Sequence, residues 1–195
     1  IVAPNSINIL IRDTSGNLVS ILDASSTYVN GSWHNVVMVR DTTAGNLILY
    51  VDGSQIATAT DTTVATLSNT SPVVIGSRSI GGVYFDGDLD DIRVIPSAIT
   101  AAEVLTLYEG VPGFEPALPT RQIADTVLHL QADSGERDLS NHGNYGTFEG
   151  TDIAANSTDT EFVFNGTDDV VNFGDILNQS SAFSMSAWVY FDSFT

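Results

Sequence analysis

Residues 31–53 read GSWHNVVMVRDTTAGNLILYVDG. Two apolar-rich runs, His34–Arg40 and Asn46–Val51, flank the polar turn Asp41–Gly45, and Asp52-Gly53 then reverses the chain into Ser54–Ala59. Asp-Gly between β-rich runs is a strong hairpin signal, because both central residues of a type I′ turn take positive φ. The stretch therefore predicts a three-stranded antiparallel meander. Val37 and Val39 alternate with Val36 and Met38; Leu47, Leu49 and Val51 alternate with Ile48 and Tyr50. Apolar residues of both parities mark central strands that are covered on two sides.

Working outward, Ile7–Arg12 and Leu18–Leu22 form a second predicted hairpin around Asp13–Gly16. On the other side, Pro72–Gly76 is a short apolar strand and Tyr84–Ile95 (YFDGDLDDIRVI) a longer one. In the longer strand Phe85, Gly87 and Leu89 share one parity, while Ile92 and Val94 share the other. One inserted residue flips every later side chain, so this phase change predicts a β-bulge at Asp90-Asp91. Thr100–Glu109 is the one predicted helix, with Thr100 as N-cap, Glu103 closing a capping box and Val104, Leu107 and Tyr108 on one face. Val111–Ile123, with three prolines, reads as a linker or strap. Further strands are expected at Thr126–Gln131, Tyr145–Glu149, Glu161–Asn165, Val170–Phe173 and Phe183–Phe191. Many short strands at close spacing with one helix predict an all-β antiparallel sandwich.

The composition narrows the partners. All six basic residues are Arg, against 24 acidic ones, for a net charge of −18. Such a surface repels phosphates and anionic lipids, so neither nucleic acid nor membrane insertion is expected. No run approaches the roughly 20 apolar residues of a membrane-spanning helix. There is no cysteine, which excludes disulfides and thiolate chemistry. The chain opens on IVAPNSINILIR and stops on FSMSAWVYFDSFT, both strand-like, and we expect it to be cut from a longer polypeptide.

The order of motifs resembles a laminin-G-like (concanavalin A-like) jelly roll. Ser32–Val37, Leu49–Gly53, Ile75-Gly76, Phe85–Val94 and the helix Thr100–Tyr108 resemble its second half. Residues 125–195 resemble its first half, through Asp138, Ser140, Asn144, Gly146 and Thr147, then Phe164–Val171, then Phe183–Val189. The halves stand in reversed order. Either 1–195 is one circularly permuted sandwich, in which 1–110 is the second half, 111–124 a Pro-rich linker and 125–195 the first half, or the chain spans a junction between repeats. Half a sandwich exposes an apolar face and open edges, so we expect the halves to pair, within the chain or by strand exchange in a homo-oligomer.

Asp86, Asp88 and Asp90 stand at i, i+2 and i+4 of one strand, which puts three carboxylates on one face about 7 Å apart. The resemblance implies a structural Ca²⁺ nearby, with Asp90 (or Asp91) and Asp138 at the matching positions, and Asp88 on the same strand face is taken as a further expected ligand. The plain alternative is a solvated acidic face. Glycosidase relatives carry Glu-x-Asp-x-x-Glu on one strand, which none of the six Glu reproduces, so no enzyme activity is expected. His34, His129 and His142 lack metal-ligand spacing, and His34 is expected to pack in the core. Trp33, Trp188, Tyr50 and Phe164 are expected to fill the core, with Tyr84, Tyr145 and Phe148 as candidates for a sugar platform. The resemblance implies a non-catalytic binding module for carbohydrate, on an adhesive extracellular, cell-surface or virion-surface protein. The alternative is a structural or assembly repeat in a fibre, stalk or surface decoration, contacting another protein. Sequence names no ligand-binding residue in either case.

Overall fold

A computed structural model of the chain describes residues 6–24, 28–68, 71–77, 83–109, 126–132, 138–140, 142–150, 161–176 and 181–192. The Pro-containing stretch 111–124 and the loop residues 133–137 lie outside these.

Twelve strands and one helix are described: β1 (Ile7–Arg12), β2 (Leu18–Asp23), β3 (His34–Asp41), β4 (Asn46–Val51), β5 (Ser54–Thr60), β6 (Val74–Ile75), β7 (Asp86–Ile95), α1 (Ala101–Glu109), β8 (Leu128–Leu130), β9 (Thr147–Glu149), β10 (Phe162–Asn165), β11 (Val170–Asn172) and β12 (Phe183–Phe191). A central antiparallel sheet runs β10-β7-β12-β3-β4-β5, with β8 also on β7. The Asp52-Gly53 turn has φ of 50° and 73°, as a type I′ turn requires. Asp52 also accepts the Asn35 N–H at 2.9 Å and pairs with His34 Nδ1 at 2.8 Å, which fixes the register of the meander.

β12 lies between β3 and β7, so a strand from 125–195 sits inside a sheet whose other central strands come from 1–110. Along β7, Asp86–Leu89 pair with β10, and Ile92–Val94 pair with β8 on the same edge. Between these two stretches the register with β12 shifts: Ser186 faces Arg93, whereas Trp188 faces Asp90. Three β7 residues thus advance against two, and Asp91 takes φ of 46°. This is the bulge that the phase change predicted.

The bulge lets one face of β7 serve two neighbourhoods. On the inner face, Ile92, Val94, Leu128, Leu130, Phe162 and Phe164 pack against Val171, Phe173, Val73 and Ile75, part of a second layer built from β6-β11-β9. Alongside, Leu47, Leu49, Val51 and Phe183 pack against Ile7, Ile11, Val19 and Ile21 of the β1-β2 ribbon. On the outer face, Val37, Val39, Tyr50 and Ile95 receive Val104 and Leu107 of α1. The capping box forms: the Thr100 N–H donates to Glu103 at 2.7 Å, and the Glu103 N–H donates to Thr100 Oγ1 at 3.3 Å. The architecture is an all-β antiparallel sandwich with one short helix on its outer face. Among the described residues, no helix is long and apolar enough to cross a membrane.

Candidate functional site

α1 covers only part of the outer face. Beyond it, the face is a grid set by register and alternation. In one row Val163 of β10 faces Asp88 of β7, which faces Tyr190 of β12. Tyr190 in turn meets Trp33, with ring centroids 5.9 Å apart. In the next row Asp90 faces Trp188, which faces Asn35 of β3. Tyr108 of α1 stacks on Trp188 at 5.8 Å with an interplanar angle of 20°. On the far side, Asn165 faces Asp86. The result is a column of carboxylates beside a column of half-buried aromatic rings, with Val163 exposed at the margin.

The carboxylates in this grid repel one another. Partial burial, then the charges of Asp192, Glu161 and Asp86, push the Asp88 carboxyl up to about 6. Among the described arginines, Arg40 and Arg93 are bound to other carboxylates, Asp61 and Asp91, each at 2.8 Å. Two buried polar atoms, Asn35 Oδ1 and Trp188 Nε1, have no hydrogen-bond partner, and they belong to facing residues in one row.

The three expected calcium ligands occupy different surroundings. Asp138 Oδ1 accepts the His129 N–H at 3.1 Å and the Ser140 N–H at 2.8 Å. Its Oδ2 accepts the Ser140 hydroxyl at 2.8 Å and the Asn144 N–H at 3.0 Å. Burial opposes ionisation here, but these bonds from Ser140, His129 and Asn144 outweigh it and lower the pKa. Four donors consume the lone pairs a cation would use, so Asp138 fits the role of a loop knot and does not fit that of a metal ligand. The same knot explains the motif around it. Ser140 Oγ and Asn144 Nδ2 both donate to the Val127 carbonyl. A Cβ on Gly146 would stand 2.5 Å from Val171 Cγ1. Asp90 accepts the Ala132 N–H at 3.0 Å. Asp88 is the one of the three whose surroundings, crowded with negative charge, suit a cation. Among the described residues, no three His, Asp or Glu side chains form a metal-holding group.

The bulge residue Asp91 differs again. Its Oδ1 accepts from His129 Nε2 at 2.7 Å and from Arg93 Nε at 2.9 Å. Burial would raise its pKa, but the His129 hydrogen bond and the Arg93 charge prevail and lower it. His34 packs as expected, buried edge-on against Tyr28 with ring centroids 5.3 Å apart. One shallow cleft, of about 410 Å³, lies between the β3–β4 turn and Pro96–Ala98. The other, of about 380 Å³, lies between Gly76 and Tyr84–Phe85.

Tyr50 and Phe164 are core residues, 4 % and 1 % exposed. Trp33 and Trp188 are not: both are half-buried on the outer face, a correction to the core reading. Tyr145 is 74 % exposed. The missed signal was parity within β12. Phe183, Met185, Val189 and Phe191 point inward, so Ser184, Ser186, Trp188 and Tyr190 share the outer face.

A family model, laminin G type, described as the concanavalin A-like lectin/glucanases superfamily, matches residues 2–105. Comparison with curated proteins and with solved structures returned no match.

Proposed function

The chain belongs to the concanavalin A-like lectin/glucanases superfamily, and we propose that it is a non-catalytic module that binds carbohydrate on the open part of its outer sheet face. The observation that supports this is the pairing of half-buried Trp188 and Tyr190 with Asp90 and Asp88, one strand away. Rings take the apolar face of a sugar, and carboxylates accept its hydroxyls. We take the protein to be extracellular, on a cell or virion surface, and adhesive.

In this reading residues 1–195 act as one circularly permuted sandwich; the support is the place of β12 between β3 and β7. The expected Ca²⁺ is retained at Asp88. Titrating Ca²⁺ after chelator treatment should raise the thermal midpoint, and an unchanged midpoint would remove the ion from the proposal. The binding reading is tested on a glycan array with the wild-type chain and Tyr190→Ala. Signal on some glycan, lost in the variant, supports it. Silence across the array, together with self-association in sedimentation, favours the structural or assembly repeat instead.

A further inference from the structure

We propose that the inner layer of the sandwich holds a slot for one strand of another polypeptide. The strand is an extended segment, apolar at alternate positions and free of acidic residues, laid along the open edge of β1 over β3 and β12. The slot lies on the opposite side of the central sheet from the carbohydrate face, so the two readings stand or fall separately.

The first observation is burial out of order. β3 and β12 are neighbours in the middle of the central sheet. Their outer-face residues Val37, Val39 and Ser184 are no more than 1 % exposed. Their inner-face residues, Val36 and Met38 on β3 and Met185 and Ala187 on β12, are only half-buried. In a sandwich the inner faces make the core, so the order should be the reverse. Val36 faces Ala187 and Met38 faces Met185, which makes these four one continuous floor. Leu89 and Phe191, half-buried on the same face, extend it. The cleft of about 380 Å³ is lined by Phe85 and Leu89 and opens at this end, where Phe85 meets Phe191 with ring centroids 6.0 Å apart.

The second observation is a strand count. The central sheet sets six strands abreast, from β10 to β5. The layer facing it has five described strands in two separate pieces, β1-β2 and β6-β11-β9. One piece packs over β4 and the other over β7 and β10, while Met185 borders both clusters. The floor is what the gap between the pieces leaves open. At about 4.8 Å per strand, one strand makes up the difference, and a helix about 10 Å across is too wide.

The third observation is the edge itself. The ribbon turns β2 toward β4 and β5, which leaves β1 on the side of the gap. Among the described strands β1 pairs with β2 alone, in six consecutive pairs without a bulge. Edge strands are ordinarily guarded by proline, lysine or a bulge, and Ile7–Arg12 has none of these. Its second row of N–H and C=O groups matches the backbone of an added strand. Charge then selects the strand: at −18 the chain repels a second copy of itself and any acidic segment, and admits a neutral or basic one.

The experiment uses the whole chain and a capped peptide of alternating valine and threonine with an arginine at each end. The control has the same composition with its valines in one block. In calorimetric titration the alternating peptide should bind at least about tenfold more tightly than the control. Replacing its arginines by glutamates should weaken it by about tenfold at low salt, and added salt should shrink that difference. Ala187→Asp, with unchanged circular dichroism, should abolish binding. Hydrogen exchange on the wild-type chain gives a readout that needs no variant: β1 amides that exchange fast in the free chain should slow at least about tenfold when the peptide is bound. Equal binding of the two peptides, or none, overturns the proposal. Slow exchange along both rows of β1 in the free chain also overturns it, because the chain then fills its own slot. Concentration-dependent dimers that the peptide dissolves assign the slot to a second copy and overturn the choice of partner.

Discussion

Two positions on β7 set the same side chain in opposite circumstances. At Asp91, the carboxylate is sealed in with a guanidinium and an imidazole, all on one oxygen, and is held in its charged form. Three residues earlier, Asp88 is half-exposed among other carboxylates and is pushed toward its neutral form. The bulge divides these regimes, because it is where β7 exchanges β10 for β8 as its partner. Charge that is matched and buried holds β8 to β7. Charge crowded against like charge costs stability.

The comparison is broken most directly at its buried position. The side chains of Asp91, Arg93 and His129 are 4 %, 6 % and 3 % exposed. Asp91→Ala leaves Arg93 buried without its anion, a loss expected to cost about 3–5 kcal/mol in urea unfolding. A cost below about 1 kcal/mol would mean that Arg93 finds water or another acceptor, and that the two positions on β7 do not differ as described.

Asp138 gives the next largest effect, since it supports β8 from the other side. Asp138→Asn swaps an acceptor that holds four donors for a group with one acceptor oxygen, and should cost about 2–3 kcal/mol. The loss should be the same in chelator and in calcium. A loss seen only in calcium would return Asp138 to the ligand set and contradict the knot.

Much of this division is legible in the sequence, for identifiable reasons. The meander, the capping box and the bulge are local: a turn dipeptide, a spacing of three and a change of parity each act within a few residues. The three carboxylates of 86–90 are likewise visible as a run of one parity. What the sequence does not carry is which strand lies beside them. Trp188 and Tyr190 reach Asp90 and Asp88 only because β12 inserts between β3 and β7, a pairing made across about a hundred residues of chain. Tryptophan is read as core by default, and only the neighbouring strand shows that this pair is not. The Asp91–His129 pair is hidden for the same reason.

The helix sharpens the comparison from the covered side. α1 shields Ile95 and meets the open grid through Tyr108 on Trp188. Thr100→Ala removes the hydroxyl that accepts the Glu103 N–H, while the backbone N–H of residue 100 can still donate to Glu103, and should cost about 1 kcal/mol. Ligand binding on the open face should not change, because the cap lies at the opposite end of α1 from Tyr108. Weakened binding would mean that the cover and the grid are one cooperative unit.

The smallest expected effect has the most telling sign. Asp88 has a folded pKa of about 6, above its unfolded value of 3.8. Between these values the native state binds more protons than the unfolded state, so stability falls as pH rises from about 4 to 6 and stays low above. Asp91 and Asp138, with lowered pKa values, act the other way: their contribution is present above the unfolded value and is lost as pH falls through the folded one. Asp88→Asn should therefore stabilise the chain at pH 7, by about 0.5–1 kcal/mol once the exposure of the site is allowed for. The gain should vanish near pH 4, where the wild-type carboxyl is already protonated in the folded state. Denaturant midpoints of both chains, measured in chelator across that range, decide it. A variant less stable than wild type at pH 7 would show that Asp88 is already compensated within the fold, and that position on β7 would then have no unmet charge to offer a ligand.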